Sequence, residues 1–229
     1  MATTNNRVLW QEGLFALPQH FQQQQRHTDY LLHERLDAQT DFAWGFTELS
    51  RNTELLAQGR VMIDKAAGCL PDGTVFRIPD QDLLPLPFQP GELTTPESHD
   101  IYLALPVSGH NISEIQDVRR AGQSSERYRL SYMDVCDVHT ENGDVQPLSL
   151  GQLVFRIVSG AEDLSAMMVL PLCRIRSLRA GGGLVVDEEF IPTCQTVRVS
   201  PMLNRFVGDV PGMIATRAPD LAKLTGSPE

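Results

Sequence analysis

Beyond Trp44 the hydrophobic pattern takes a period of two. Ile101, Leu103, Leu105 and Val107 share one face of an extended segment, with Tyr102 and Ala104 on the other, and this period of two predicts a strand. The stretch Arg127 to His139 repeats it, Tyr128, Leu130 and Tyr132 alternating with Arg127, Arg129 and Ser131, until Asp134 interrupts the apolar face and predicts a bulge or bend. Leu153, Phe155 and Ile157 continue the series. Met167 to Cys173 is apolar throughout, which predicts a strand covered on both faces, and Arg174 and Arg176 then alternate with Ile175. Pro71-Asp72-Gly73, Glu141-Asn142-Gly143-Asp144 and Gly181-Gly182-Gly183 supply residues that tolerate positive φ and read as turns. Many short strands at this spacing predict a mainly β chain folded as a β-sandwich.

The two ends follow a different rhythm. Residues 19–39 contain no Gly or Pro, and Phe21, Leu32 and Leu36 fall near one side of a 3.6-residue wheel, which predicts an amphipathic helix with Pro18 at its entrance. The glutamine run Gln22 to Gln25 reads as its solvated or hydrogen-bonding face. Near the other end, Ser200-Pro201 reads as an N-cap and first helical position, followed at helical spacing by Leu203, Phe206, Val207 and Val210. Pro211-Gly212 is expected to break or kink that helix, Ala218-Pro219 to interrupt it again, and Gly226 to Glu229 to form a polar tail. Asp80 to His99, with Pro85, Pro87, Pro90 and Pro96 after Pro79, predicts an extended surface loop. The resulting organisation is an extended arm over 1–18, a sandwich domain over 19–199 that includes the first helix, and a helical segment over 200–229.

A chain of 229 residues buries roughly 70% of the surface its unfolded form exposes, so it needs neither disulfide nor metal to sustain a core. With 29 acidic against 19 basic residues it carries a formal charge of -10, which opposes a grip on nucleic-acid phosphates. Cys69, Cys136, Cys173 and Cys194 are widely spaced, with no CxxC pair, and are expected to be buried free thiols in a reducing cytoplasm. Met1 to Gln11 has no basic region leading into an apolar stretch, and no apolar run approaches the ~20 residues that span a bilayer; a cytoplasmic protein is expected.

Candidate chemistry is thin. His20, His27 and His33 share the first helix, but spacings of seven and six do not give the one-turn pairing of a helical zinc site, so no metal is expected there. Asp187-Glu188-Glu189 places carboxylates side by side in a solvated turn, where nothing splits their pKa values for acid and base work. No G-x-S-x-G is present, and Gly181 to Gly183 joins two strands instead of opening a helix on a phosphate. Asp72 in its turn is a lone carboxylate, too few ligands for a hard cation. No catalytic residue and no cofactor are expected. Val8, Leu9, Trp10, Leu14 and Phe15 stand apart: they precede the first regular element, follow no strand period, and need covering either by their own domain or by a partner.

Taken together, Val8-Leu9-Trp10-Gln11-Glu12-Gly13-Leu14, Pro18-Gln19-His20-Phe21-Gln22, Trp44-Gly45, Gly59 and Leu70-Pro71-Asp72-Gly73-Thr74 resemble the N-terminal half of the TssK family, the type VI secretion baseplate subunits also called ImpJ or VasE. Phe190-Ile191-Pro192 fits the family less specifically. The resemblance implies a trimeric cytoplasmic adaptor at the inner-membrane-associated baseplate. Its N-terminal sandwich, similar to the shoulder of phage receptor-binding proteins, would dock on the TssF–TssG wedge, and a helical neck would lead to a head, absent here, that faces the membrane complex. It further implies that Val8, Leu9, Trp10, Leu14, Phe15, Pro18, His20 and Phe21 lie on the wedge side, and that Leu203, Phe206, Val207 and Val210 belong to a self-associating neck. The competing reading is a receptor- or carbohydrate-binding module of phage-tail type, which the scarcity of tryptophan, Trp10 and Trp44 alone, does not favour.

Overall fold

The computed structural model describes residues 3–91, 93, 95, 99–109, 114–115, 126–141 and 143–225, the last seven of these for their backbone alone. Pro96, Asn142 and the tail 226–229, which figured in the predicted loop, turn and terminus, lie outside the described residues. In chain order the elements are α1 (Pro18–Asp37), β1 (Gly45–Arg51), α2 (Thr53–Ala57), β2 (Ile63–Cys69), β3 (Val75–Ile78), β4 (Asp100–Pro106), β5 (Tyr128–Cys136), β6 (Val145–Leu153), β7 (Arg156–Ser159), β8 (Met167–Leu178), β9 (Leu184–Val186), a 3-10 turn (Val197–Val199) and α3 (Pro201–Thr225).

Two antiparallel sheets enclose one core. The first runs β1-β2-β3 and the second β7-β4-β8-β9, and the fold is mainly β as the alternation predicts. Phe46, Ile63, Phe76 and Ile78 from the first sheet, with Leu70 just after β2, meet Ile101, Leu103, Leu105, Leu170, Leu172 and Ile175 from the second, all essentially without solvent contact. Phe76 is the aromatic pivot: its ring is edge-on to Phe46 at 6.0 Å and tilted against Phe155 at 5.0 Å, so it links the first sheet to the connection between β6 and β7. β8 pairs with β4 along its apolar run, Met167 to Cys173, and with β9 only beyond it, from Ile175 to Leu178; within the run Leu170, Leu172 and Cys173 are buried and the others half-covered.

The structure corrects three expectations. Asp134 makes no bulge; β5 and β6 pair residue for residue from Tyr128↔Leu153 to Cys136↔Val145. That hairpin is a separate two-stranded sheet with Leu130, Tyr132, Met133, Leu148 and Leu150 exposed, so Asp134 has no buried apolar face to interrupt. α3 runs continuously through Pro211 and Pro219. Each proline removes one bond to the residue four back, but Val207 is exposed, and water replaces what a buried helix would lose outright. Finally, the thiols are free but not uniformly buried: Cys173 is buried, Cys69 and Cys194 are half-covered, and Cys136 is exposed in the hairpin.

Candidate functional surface: an arm held on an unburied helix

Helix α1 contributes no buried residue, which is unusual for twenty residues of regular structure. Its N-terminus is closed by His20, which takes the place of the acidic or amide residue of a capping box: the Leu17 N–H donates to Nδ1 at 3.0 Å while the His20 N–H donates to the Leu17 carbonyl at 3.0 Å. Pro18, at the first helical position, loses no bond there. At the far end the His33 ring lies over the β2–β3 turn, so close that a Cβ added at Gly73 would come 2.9 Å from Nδ1, and its Nε2 sits 3.3 Å from Asp37 one turn on.

One side of α1 holds the arm. Gln23 Nε2 donates to the carbonyls of Thr4 at 2.6 Å and Asn6 at 2.7 Å, and His27 Nδ1 lies 2.7 Å from the Asn5 carbonyl, which requires the proton on that nitrogen. Three consecutive backbone carbonyls are thus gripped by two side chains one turn apart. Beyond the clamp, Trp10 turns back over the helix, its ring 6.1 Å from His20 and 5.9 Å from Phe21. The glutamine run therefore has a definite task, at Gln23, which a compositional reading does not single out.

What the arm does not do is hide its apolar groups. Phe15 is 80% exposed, Leu9 68% and Trp10 51%; Leu14, Leu17 and Phe21 are also exposed, and only Val8 is half-covered. Leu32 and Leu36 extend the exposed stripe of Phe21 along α1. The structure thus brings Trp10, His20 and Phe21 together, while Leu9 and Phe15 project without an intramolecular partner in the core. Large apolar side chains left exposed on a folded chain are the kind of group that association covers.

At the opposite end of the sequence, Ser200 caps α3, its Oγ accepting the Leu203 N–H at 3.4 Å. Phe206 and Val207 are exposed, with Leu203 and Val210 half-covered. The Asp72 carboxylate, weighed above for a cation, is taken by a protein cation that sequence reading passed over: buried Arg127, whose Nη2 donates to it at 2.8 Å. Among the described residues no group of three or more His, Cys, Asp or Glu is placed to hold a metal ion, and no helix is long and apolar enough to cross a membrane. Trp44 is half-covered and edge-on to Phe42 at 5.2 Å.

Comparison with known proteins agrees with the fold. Residues 20–229 match the family described as bacterial type VI secretion, VC_A0110, EvfL, ImpJ, VasE. Over 218 residues, 95% of this chain, it is 33% identical to the type VI secretion system baseplate component TssK1 of Pseudomonas aeruginosa, and it spans 48% of that protein's length. A crystal structure of TssK superposes with a TM-score of 0.84 at 26% identity, covering 98% of this chain and 50% of the other. A chain of the TssK-TssF-TssG baseplate subcomplex shares the fold, with a TM-score of 0.78 at 23% identity over 95% of this chain and 72% of that one. With a mainly β fold and the family pattern running across nearly its whole length, the chain belongs to the bacterial type VI secretion family of ImpJ, VasE and the baseplate component TssK.

Proposed function

We propose that the chain is the docking portion of a non-enzymatic baseplate adaptor that works in the cytoplasm, at the inner-membrane-associated baseplate, and grips the TssF–TssG wedge through its N-terminal arm and α1. The observation that carries this reading is the set of exposed apolar side chains Leu9, Trp10, Leu14 and Phe15, on an arm clamped at residues 4–6 to a helix that buries nothing in its own domain, together with Phe21 of that helix. An arm tethered by Gln23, His27 and the Trp10 ring yet left uncovered is partly pre-organised for a partner, because some of its ordering cost is met before association. Trp10, Leu14 and Phe15 act as anchors, and the glutamines and acids of α1 form the polar rim. Residues 3–17 serve as the arm, the sandwich as its platform, and α3 as the start of a neck.

The apolar stripe of α3, with Phe206 and Val207 exposed and Leu203 and Val210 half-covered, supports self-association into a trimer through that neck in the complete protein. Contact with the membrane complex belongs to a head beyond these residues.

Co-purification with the TssF–TssG wedge of the same bacterium tests the docking reading, with the intact chain run beside one lacking residues 1–18. Retention of the intact chain and loss of the truncated one is the expected result. Equal retention of both would move the interface away from the arm, and retention of neither would overturn docking by this chain.

A further inference from the structure

The chain enters and leaves the sandwich at one place. After α1 a short connection, in which Phe42 adopts φ 57°, leads to Gly45 and the start of β1. The segment that leads out to α3 lies along the outer edge of the same strand: the Phe46 N–H donates to the Thr193 carbonyl and the Gln195 N–H to the Phe46 carbonyl, both at 2.9 Å, pairing Phe46 with Cys194 in parallel. Two side chains reinforce the pair. Gln195 Nε2 donates to the Ala43 carbonyl at 2.7 Å, and Thr196 Oγ1 donates to the carbonyl of Thr47 at 3.3 Å, at a residue that a register shift between Phe46 and Glu48 leaves out of the ladder with β2. The fit leaves no slack at Gly45, whose φ of +127° suits glycine and where a Cβ would come 2.9 Å from the Thr193 carbonyl oxygen.

Beyond this joint α3 has room to tilt. Met202 and Arg205 of its first two turns overhang a cleft of about 350 Å³ whose other wall is Val185, Val186 and the turn Asp187 to Glu189. Neither Arg205 nor Glu188 has an ion-pair partner among the described residues, although both line that cleft. Closing it would bring Arg205 towards the carboxylates of Asp187, Glu188 and Glu189, against the weaker opposition of Arg176 on the same wall, so a tilt of α3 about the fully buried Ser200 has net charge attraction behind it. Phe42, a bulky residue held in the left-handed region, marks the matching point of stored strain on the α1 side.

We propose that the edge segment 193–196 couples the two ends mechanically: a partner seated on the arm and α1 shifts the α1 root at Ala43 to Phe46 and, through Gln195 and Thr196, sets the tilt of α3 over the Arg205–Glu188 cleft. The inference rests on the docking reading above, and extends it from gripping a partner to reporting that grip along the neck. By linkage, whatever fixes the tilt of α3 then alters affinity at the arm by the same factor.

Amide hydrogen exchange of the chain with and without the TssF–TssG wedge tests it, alongside Gln195→Ala/Thr196→Val, which removes two exposed side-chain bonds but keeps the backbone pair and the core. Wedge binding is expected to slow exchange in the arm and α1 and also, by about fivefold or more, at Gln195 and in residues 200–206. In the double variant the arm protection persists and the remote protection falls. Protection that stops at α1 in the unaltered chain, or that stays the same at 200–206 in the variant, would overturn the coupling while leaving docking intact. Absence of protection in the arm itself would overturn the docking reading, and the coupling with it.

Discussion

Arg127 reaches Asp72 across 55 positions of sequence, Nη2 donating to Oδ2 at 2.8 Å with the arginine side chain only 4% exposed. The same guanidinium donates to Thr74 Oγ1 and to the Pro106 carbonyl, so one residue at the base of the β5–β6 hairpin ties together the β2–β3 turn and the end of β4. Removing it leaves a carboxylate and a carbonyl without their donor. Arg127→Met is expected to cost about 3 kcal/mol in denaturant unfolding, and Asp72→Asn, which keeps an acceptor, about 1 kcal/mol. Arg127→Lys should recover little of the loss, because an ammonium cannot span acceptors on both sides of the fork. Equal stability of the arginine and methionine proteins would show the link to be idle.

Trp10→Ala combined with Phe15→Ala separates binding from folding. Both side chains lie outside the core, so the thermal midpoint of the sandwich should move by no more than a degree or two. Wedge affinity, measured by calorimetry, should fall by about 30-fold or more, the loss typical of a truncated interface anchor. Unchanged affinity would remove these two residues from the interface.

Gln23→Ala with His27→Ala should free the arm without touching its apolar groups. Limited proteolysis is then expected to cut between residues 3 and 17 faster than in the unaltered chain, while the sandwich resists as before. Affinity for the wedge should drop as well, through the added ordering cost, even though every anchor is still present. An arm equally resistant in both proteins would mean that the Trp10 contacts hold it unaided.

The cysteines should label in order of exposure. Burial pushes the Cys173 thiol up to about 11 and also raises Cys69, to which Asp72 and Asp37 add, and Cys194. A raised thiol pKa means less thiolate at a given pH, so Cys173 is little ionised near pH 8, and the residue is enclosed besides. Exposed Cys136 should react first with a maleimide, Cys69 and Cys194 more slowly, and Cys173 only on unfolding. Mass spectrometry of the singly labelled protein checks the order.

The elements were legible where pattern and local chemistry agree. Alternation found β4, an unbroken apolar run found β8, Pro18 marked the start of α1, and Ser200-Pro201 the start of α3. The misses have a common cause, since each turns on what lies next to a residue in space. Asp134 looked disruptive because its strand was taken to face a core, but β5 has none beneath it. Pro211 looked terminal because propensity counts the missing bond and not the water that replaces it at an exposed position. Arg127 read as one polar residue of an alternating strand, and only the fold shows that Asp72, 55 residues earlier, is waiting for it. The arm's apolar residues were conspicuous in sequence, whereas the side chains that hold it, Gln23 and His27, were indistinguishable from a solvated helix face.

Because α1 sends no side chain into the core, its helicity and the sandwich's integrity are separate thermodynamic quantities. Held by the arm and by His33 against the β2–β3 turn, a helix of 20 residues is less persistent than the paired sheets, so heating should unwind α1 first, as a shallow loss of ellipticity ahead of the main transition. The protein would then carry a built-in thermometer of occupancy: the early transition vanishes when something sits on the helix and returns when it leaves.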